Sequence, residues 1–562
     1  MSDYLSTKDL VVFGLYFVII VFYGLFIYYR KKSAQVDSKE YFLAEGSLTW
    51  WAIGASLIAS NISAEQFIGM SGSGYQMGLA IAAYEWMAAV TLIVVAIFFM
   101  PVYLKNKIFT MPQFLHQRYN GTVAMIMAIF WLALYVVVNL MSILYLGAIA
   151  ISGISGIAVG TCIILLSIFA IFITLGGMKV IGYTDVVQVL VLIIGGFVAT
   201  YIALDIIGEG EGLWVGFDNL QKGASEHFDM IFTPDNANYV DLPGLSVLIG
   251  GMWITNLSYW GCNQYITQRA LGASLPTARN GLLFAAFLKL LMPLIVVVPG
   301  IAVYYIIKND MGVISTNSLL TSSGVQDPNK AYPALLTLLP TGLKGLSFAA
   351  LTAAIVASLA GKANSIATIF ALDVYKKAIN KGASETKLVN IGKIAVVVSL
   401  LMGAVLALIV GDALMGEGKQ GFQYIQEYTG FISPGIFAMF LLGFFWKKTT
   451  SNAALFATIG GFVFSVILKF SGQLVNLEFL SAINFAIPNA QGVYEIPFLD
   501  RMAIVFGLCV LGMVIISKID NAKGIVPKGL EVDPRMFKAH PAFIIGSAIV
   551  ILITTILYTV YW

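Results

Sequence analysis

Long apolar runs, fourteen in number and separated by polar connections, constrain this sequence more than any other feature. A helix needs about 20 mainly apolar residues to cross a bilayer, and most of the runs have at least that length. The runs cover residues 9–29, 49–70, 77–100, 122–148, 154–175, 184–207, 245–265, 281–307, 343–375, 391–411, 423–445, 453–471, 502–517 and 541–561. They predict an all-α integral membrane protein with about 14 transmembrane helices.

Composition excludes several other classes of protein. Charged residues make up 11% of the chain, whereas a soluble domain carries about 25%. The mean hydropathy is +0.88 and the net charge is only +3, so a polyanionic partner is not indicated. We therefore exclude a water-soluble enzyme, a disordered protein and a nucleic-acid-binding protein. The sequence also has no nucleophile, metal or phosphate motif of an enzyme, and we expect no enzymatic activity.

The distribution of Lys and Arg predicts the orientation. Of the 32 basic residues, 22 fall in the odd-numbered connections and eight in the others. Because cytoplasmic loops carry the excess of positive charge, both termini are predicted to be extracytoplasmic. The basic cluster at residues 30–32 follows the first run instead of preceding it, so we interpret this run as a retained helix and not as a signal peptide.

The second and seventh runs contain segments that do not suit a lipid-facing helix. The second ends in a stretch rich in Ser, Gly and amide residues at 60–74, and the seventh contains a similar stretch at 255–264. Interrupted helices at matching points of two halves are typical of secondary transporters with inverted repeats. Glycine is common in membrane helices, so two merely irregular helices are the alternative.

The five-run spacing between these breaks predicts a 5+5 inverted repeat, because an odd repeat length reverses the orientation of the second half. The predicted organisation is a first transmembrane helix and cytoplasmic linker at 1–48, a first repeat at 49–208, an external loop at 209–244, a second repeat at 245–445 and additional helices at 446–562.

Polar side chains at membrane depth are costly and are therefore candidates for function. Glu85 and Lys289 lie inside runs, and could instead form only a structural ion pair. The candidate hydrogen-bonding residues are Asn61, Gln66, Glu85, Asn256, Lys289 and Gln426, and the candidate aromatic faces are Tyr84, Tyr259, Trp260 and Phe422. This mixture suits a neutral polyhydroxylated solute. A carboxylate substrate would favour an Arg, and no run has one in its interior.

The ninth run predicts a close-packed helix with a polar face. Ala354, Ser358 and Lys362 recur every four residues and so share one face. Hard cations such as Na⁺ require oxygen ligands, which the Ser358 hydroxyl and unwound carbonyls near Ala59 and Ile62 could supply. A serine among small residues could equally serve only for packing.

Several long segments resemble the bacterial sodium/galactose symporters of the sodium:solute symporter family. They are residues 50–56, 61–75, 84–87, 176–178 with 184–185, 263–265 with 268–269, 284–289 and 423–430. The resemblance implies a leucine-transporter-like fold in a bacterial inner membrane. It also implies sodium-coupled import of a neutral monosaccharide, galactose or glucose, by alternating access, with Na⁺ co-transported and no obligatory protein partner.

The resemblance further implies a role for each matching residue. It places the sugar on Asn61, Gln66, Glu85, Asn256, Lys289 and Gln426, beside the aromatic candidates Tyr84 and Trp260. It makes Tyr259 the inner gate and Met70 and Phe422 the outer one. It places sodium on the carbonyls of Ala59, Ile62 and Ala354 and the hydroxyl of Ser358, and puts Asp185 on the sodium exit path.

Three departures from the family pattern leave alternatives open. Ala357 and Ala88 each replace a hydroxyl residue, and Gly361-Lys362 replaces a Ser-rich stretch. Lys362 could pair with Asp185 and tune sodium release, or extend its ammonium group to the cytoplasm. The alternative functions are symport of another solute such as myo-inositol or sialic acid, a sodium-dependent sensor or channel, and a proton-coupled carrier.

Overall fold

The computed structural model describes residues 5–30, 48–320, 324–415, 420–489 and 492–562, and this part of the chain is predominantly helical. The helices of more than ten residues are Thr7–Arg30, Trp50–Asn61, Ala83–Val94, Gly121–Leu134, Met141–Ser155, Val159–Thr174, Gly177–Ile207, Leu213–Gly223, Gly251–Cys262, Leu275–Val296, Val298–Lys308, Leu343–Thr368, Ile369–Ile379, Glu385–Met415, Ser433–Phe445, Ser451–Leu474, Phe498–Ala522 and Pro541–Val560.

Shorter helical turns connect or interrupt these helices. They are Glu65–Met70, Ser71–Met77, Gly78–Ala82, Val95–Phe99, Met100–Lys105, Met111–Arg118, Tyr135–Leu140, Ser225–His227, Leu245–Ile249, Gln264–Leu271, Thr316–Leu319, Pro328–Lys330, Ala331–Thr337, Gly421–Thr429, Glu478–Ile483 and Pro534–Phe537. Two short strands, Ile487–Pro488 and Tyr494–Glu495, pair antiparallel, with Ile487 opposite Glu495.

Ten of the described helical stretches are long and apolar enough to cross a membrane, and a pair bent by 48°, Gly421–Thr429 with Ser433–Phe445, would make eleven. These stretches correspond to eleven of the predicted runs, and the fifth run forms the shorter apolar helix Val159–Thr174. The second and seventh runs contain the short helices Trp50–Asn61 and Gly251–Cys262. The prediction of an α-helical membrane protein is confirmed, and the count of fourteen spans stays a prediction.

The two predicted helix breaks are present. Trp50–Asn61 ends at Ile62, whose backbone is extended at φ −81° and ψ 111°, and a π-helical turn follows at Glu65–Met70. Gly251–Cys262 ends in the same way at Asn263, with φ −104° and ψ 126°. Backbone polar groups freed within a span need partners inside the protein, so both breaks mark positions lined by protein and not by lipid.

The chain divides into two compact units, of which the first comprises Met1–Ala82, Leu132–Asp229 and Phe287–Ile425. Within it, the helix Gly177–Ile207 packs along Leu343–Thr368. A Cβ added at Gly195 would lie 3.0 Å from the Cβ of Ala350, so small residues bring these two backbones close together.

The second unit comprises Ala83–Trp131, Met230–Ala286 and Gln426–Trp562. Its helices Ser451–Leu474 and Phe498–Ala522 pack along each other. Arg118 is fully buried and donates to the carbonyls of Gly443 and Thr449 at 2.8 and 3.0 Å. The guanidinium thereby satisfies carbonyls at the end of Ser433–Phe445 and in the turn that follows it.

Candidate functional site

The break in the second span brings two predicted sugar-binding residues of the first unit together. Asn61 is the last residue of Trp50–Asn61, and Lys289 is a fully buried residue of Leu275–Val296. The Lys289 ammonium group donates a hydrogen bond to Asn61 Oδ1. A buried amine and an amide at a helix break form the kind of polar pair that can exchange partners with a sugar hydroxyl.

Gln66 lies just after the break, and its side chain accepts hydrogen bonds from Ser63 within it. Its Oε1 accepts from the backbone N–H of Ser63 at 3.1 Å and from the Ser63 hydroxyl at 3.2 Å. The side chain thus satisfies a backbone donor that the interrupted helix leaves without a helical acceptor. Gln66, which the resemblance assigns to the substrate, therefore also holds the break in the structure.

The two residues predicted as the outer gate are buried in the first unit. Met70 ends the π-helical turn, and Phe422 lies in Gly421–Thr429. The absence of a side chain at Gly69 permits their elements to approach, because a Cβ there would lie 3.0 Å from the Cβ of Phe422. Phe422 therefore packs directly against the turn that carries Met70.

The predicted sodium-binding residues Ala59, Ile62, Ala354 and Ser358 are all buried in the first unit. The Ser358 hydroxyl donates to the Ser60 carbonyl at 3.1 Å, so the ninth-span helix contacts the end of the second-span helix. The Ser60 hydroxyl is also buried and has no hydrogen-bond partner among the described residues. Oxygen atoms at a helix break, one of them unsatisfied, suit a hard cation.

Asp185 is buried on Gly177–Ile207, and its Oδ2 accepts from the Ser56 hydroxyl at 2.6 Å. Ser56 lies one turn before Ser60, so both serines are on the same face of the second-span helix. Polar groups thus continue from the Ser358–Ser60 contact to Asp185 within the first unit. This arrangement is compatible with the predicted exit path.

Lys362 has a neighbour outside the predicted set of site residues, the carboxylate of Glu65. Its side chain is 2% exposed, and its Nζ lies 3.5 Å from Glu65 Oε2. The Glu65 Oε1 accepts from the Ser142 hydroxyl at 2.8 Å. The Lys362 ammonium group therefore does not extend to the cytoplasm in this structure. Glu65 could have been recognised as a candidate from the sequence, because an acidic residue at membrane depth beside a helix break is costly unless it has a partner or a function.

The other predicted substrate and gate residues belong to the second unit. They are Tyr84, Glu85, Asn256, Tyr259, Trp260 and Gln426. Glu85 is 2% exposed on Ala83–Val94. On Gly251–Cys262, Asn256 donates to the Met252 carbonyl at 3.2 Å. Tyr259 packs edge-on against Trp260 with ring centroids 5.2 Å apart, and its hydroxyl contacts that of Tyr265.

A cluster of charged side chains next to Gln426 lies outside the predicted set of site residues. Glu427 accepts from Lys469 at 2.7 Å and also from Arg501, which lies 3.8 Å from Glu495. Asp241, in the segment predicted to be an external loop, belongs to the same cluster. Burial and the negative charges of Glu427 and Glu495 raise the pKa of Asp241 to about 7, with Lys469 acting in the opposite direction.

Comparison with known proteins identifies the family. The family model for the sodium:solute symporter family matches residues 41–461. The chain is 44% identical to a sodium/glucose cotransporter of Vibrio parahaemolyticus, over 99% of each chain. It is 34% identical to the human sodium/myo-inositol cotransporter 2, over 82% of this chain and 70% of the relative.

A solved structure of a Na⁺-coupled sialic acid symporter, in a substrate-bound outward-open state, has the same fold. It matches with a TM-score of 0.75 at 20% identity, covering 92% of this chain and 98% of the symporter. At this identity the likeness concerns the fold alone, and it confirms the predicted leucine-transporter-like architecture with broken helices. Because the family model spans most of the sequence, this chain belongs to the sodium:solute symporter family.

Proposed function

We propose that this protein is a sodium-coupled symporter that imports a neutral monosaccharide, galactose or glucose, by alternating access. The observation that carries the proposal is the pair of contacts at the end of the second-span helix. Ser60 accepts from Ser358 of the predicted sodium site, and the next residue, Asn61, accepts from Lys289 of the predicted sugar site. Full-length similarity to a sodium/glucose cotransporter supports the choice of solute.

Coupling follows from this adjacency. Sodium held by the carbonyls of Ala59, Ile62 and Ala354 and the hydroxyl of Ser358 would fix the broken end of the helix. The same backbone positions Asn61 and, through Ser63, Gln66. Two ligands that favour one arrangement of a shared element raise each other's affinity by the same factor. Sodium binding therefore raises sugar affinity, and sugar binding raises sodium affinity.

The residues of the second unit complete the proposed roles. Glu85, Asn256 and Gln426 offer a carboxylate and two amides to sugar hydroxyls. Tyr84 and Trp260 offer flat faces to the C–H side of the ring, and Tyr259 is the inner gate. Asp185 takes sodium on its exit path. We assign residues 49–208 and 245–445 to the two inverted repeats, and no enzymatic step is part of this function.

Uptake by purified protein in liposomes tests the proposal. An inward sodium gradient is expected to drive accumulation of labelled galactose or glucose, whereas a proton gradient alone is not. Asn61→Ala removes the amide that accepts from Lys289, and we expect sugar affinity to fall by about tenfold or more. Asn309→Ala changes an exposed asparagine and serves as the control.

Competition by unlabelled solutes decides between the alternatives. Galactose and glucose are expected to compete better than myo-inositol or a sialic acid. Stronger competition by myo-inositol would indicate that myo-inositol, the solute in the name of the human relative, is the preferred substrate. Sodium-dependent binding without accumulation would indicate a sensor, and accumulation driven by protons in the absence of sodium would indicate a proton-coupled carrier.

A further inference from the structure

The ninth-span helix Leu343–Thr368 contacts the break of the second span at two points. Ser358 donates to the carbonyl of Ser60 before the break, at 3.1 Å. Lys362 lies 3.5 Å from the carboxylate of Glu65 after the break. The two residues are four apart and so lie on one face of their helix, one turn from each other. A single helix face thus holds both sides of the interruption.

The Lys362–Glu65 pair is buried and has further hydrogen bonds. The two side chains are 2% and 10% exposed. Ser142, from the helix Met141–Ser155, donates to Glu65 Oε1 at 2.8 Å, and the Ser63 hydroxyl lies 3.5 Å from Oε2. Removing one partner of such a pair is costly because the other charge stays buried without compensation. The ammonium group therefore has a definite position relative to the break.

Hydrogen bonds connect this pair to a proposed sugar-binding residue. The Glu65 backbone N–H donates to the Ser63 hydroxyl at 3.1 Å, and Ser63 in turn donates to Gln66 Oε1. The ammonium group is attached to the protein and stays in place whether or not the cell supplies sodium. A positive charge at this position does part of what a bound cation does, which is to fix the break.

We propose that Lys362 is a positioning residue that acts as a tethered cation, holding the break in the second span, and with it Asn61 and Gln66, when sodium is absent. This inference depends on the proposed sodium-coupled sugar transport. With Lys362 present, the sugar affinity of this protein depends less on sodium than it would with an uncharged residue at position 362. Without Lys362, only sodium would be left to balance the buried negative charge of Glu65 and to hold the break in position.

The test measures equilibrium binding of D-galactose and D-glucose to the purified full-length protein, with sodium at saturation or replaced by choline. Wild type is compared with Lys362→Met, Glu65→Gln and the double variant. Lys344→Met, at the start of the same helix, is the matched control. Ordinary coupling between sites amounts to about 5- to 150-fold in affinity. We expect Lys362→Met to weaken sodium-free binding by at least about fivefold while binding at saturating sodium changes about twofold or less.

The other variants distinguish a tethered cation from simpler roles. Glu65→Gln is expected to lose sodium-free affinity as well, and the double variant to lose no more than either single one, because partners in one pair are not additive. Equal weakening with and without sodium would reveal a merely structural residue and overturn the proposal. Opposite effects of Lys362→Met and Glu65→Gln would show that each charge acts on sodium directly, and would also overturn it.

Failure of the proposed function has a different signature. If wild-type protein binds neither sugar even at saturating sodium, the proposed transport is wrong. If wild type and Lys362→Met both bind sugar with the same dependence on sodium, only the role of Lys362 is wrong. Thermal unfolding of each variant, measured in the same detergent, identifies any variant that does not fold.

Discussion

Ala357 is the residue that the resemblance marks as a departure at the predicted sodium site. It is buried on the ninth-span helix next to Ser358, whose hydroxyl contacts the Ser60 carbonyl. The substitution Ala357→Ser restores a hydroxyl group and is expected to add one polar contact to sodium. A contact of this kind contributes about 1 kcal/mol, so the sodium concentration for half-maximal uptake should fall by about fivefold.

Sodium titrations of sugar uptake in liposomes measure this change. Ala360→Ser, three residues along the same buried helix, is the control for adding a hydroxyl group without a predicted ligand position. An unchanged half-maximal concentration in Ala357→Ser would mean that the missing oxygen is already replaced in the wild-type protein, for example by water.

At the scale of helices, the end of the second-span region depends on a very close backbone approach. Ser71–Met77 lies against Val298–Lys308 within the first unit, and a Cβ added at Gly300 would lie 1.9 Å from the Ser71 carbonyl oxygen. Because that neighbour is backbone, the two helices must separate to admit a methyl group. Gly300→Ala should therefore destabilise the protein by about 1–3 kcal/mol or more.

The expected result is a lower thermal unfolding midpoint, together with weaker sugar binding because Ser71 directly follows Met70. Gly14→Ala is the control, since an added Cβ at Gly14 has no atom within 4 Å. Alanine is also the better helix former, so this control should be neutral or slightly stabilising. Equal midpoints for the two variants would contradict the packing argument.

At the scale of the whole molecule, the charged cluster around Asp241 predicts how stability depends on pH. The pKa of Asp241 is raised to about 7 in the folded protein, from an ordinary value of 3.8. The folded state therefore favours the protonated form, and the stabilisation from this preference is present in acid and lost as the pH rises through about 7. Asp241→Asn removes the ionisation. Its unfolding midpoint should exceed that of wild type above pH 7 and approach it near pH 4.

Thermal unfolding in detergent between pH 4 and pH 8 measures this difference. Asp229→Asn changes an exposed carboxyl group near the same segment and is the control. If the unfolding midpoints of wild type and Asp241→Asn differ by the same amount at every pH, Asp241 does not titrate in this range.

The orientation of the whole chain is also testable. The native cysteines are buried, so an engineered exposed cysteine can be labelled selectively. We expect Asp218→Cys to react with a membrane-impermeant thiol reagent in intact cells, and Lys528→Cys to react only after the membrane is opened. Both positions are exposed in the structure. The reverse pattern would place the termini in the cytoplasm and contradict the orientation inferred from Lys and Arg.

The local features of the fold were predictable from the sequence. Apolar runs predict membrane helices because lipid leaves the backbone no other way to satisfy its polar groups. Ser, Gly and amide residues inside two of these runs indicated the breaks that the structure has at Ile62 and Asn263. The number of spans was harder to predict, because a run does not reveal whether its helix is continuous, bent or interrupted.

Composition and local residue pattern were enough to indicate the class of protein, the two interrupted helices and the residue types available at them. Which side chains meet became known from the packing of the helices: Lys362 lies beside Glu65, and Ser358 contacts Ser60. The physical reason is that hydropathy and helix breaks depend on residues near one another in the chain. The partner of a buried charge depends on how helices hundreds of residues apart pack together.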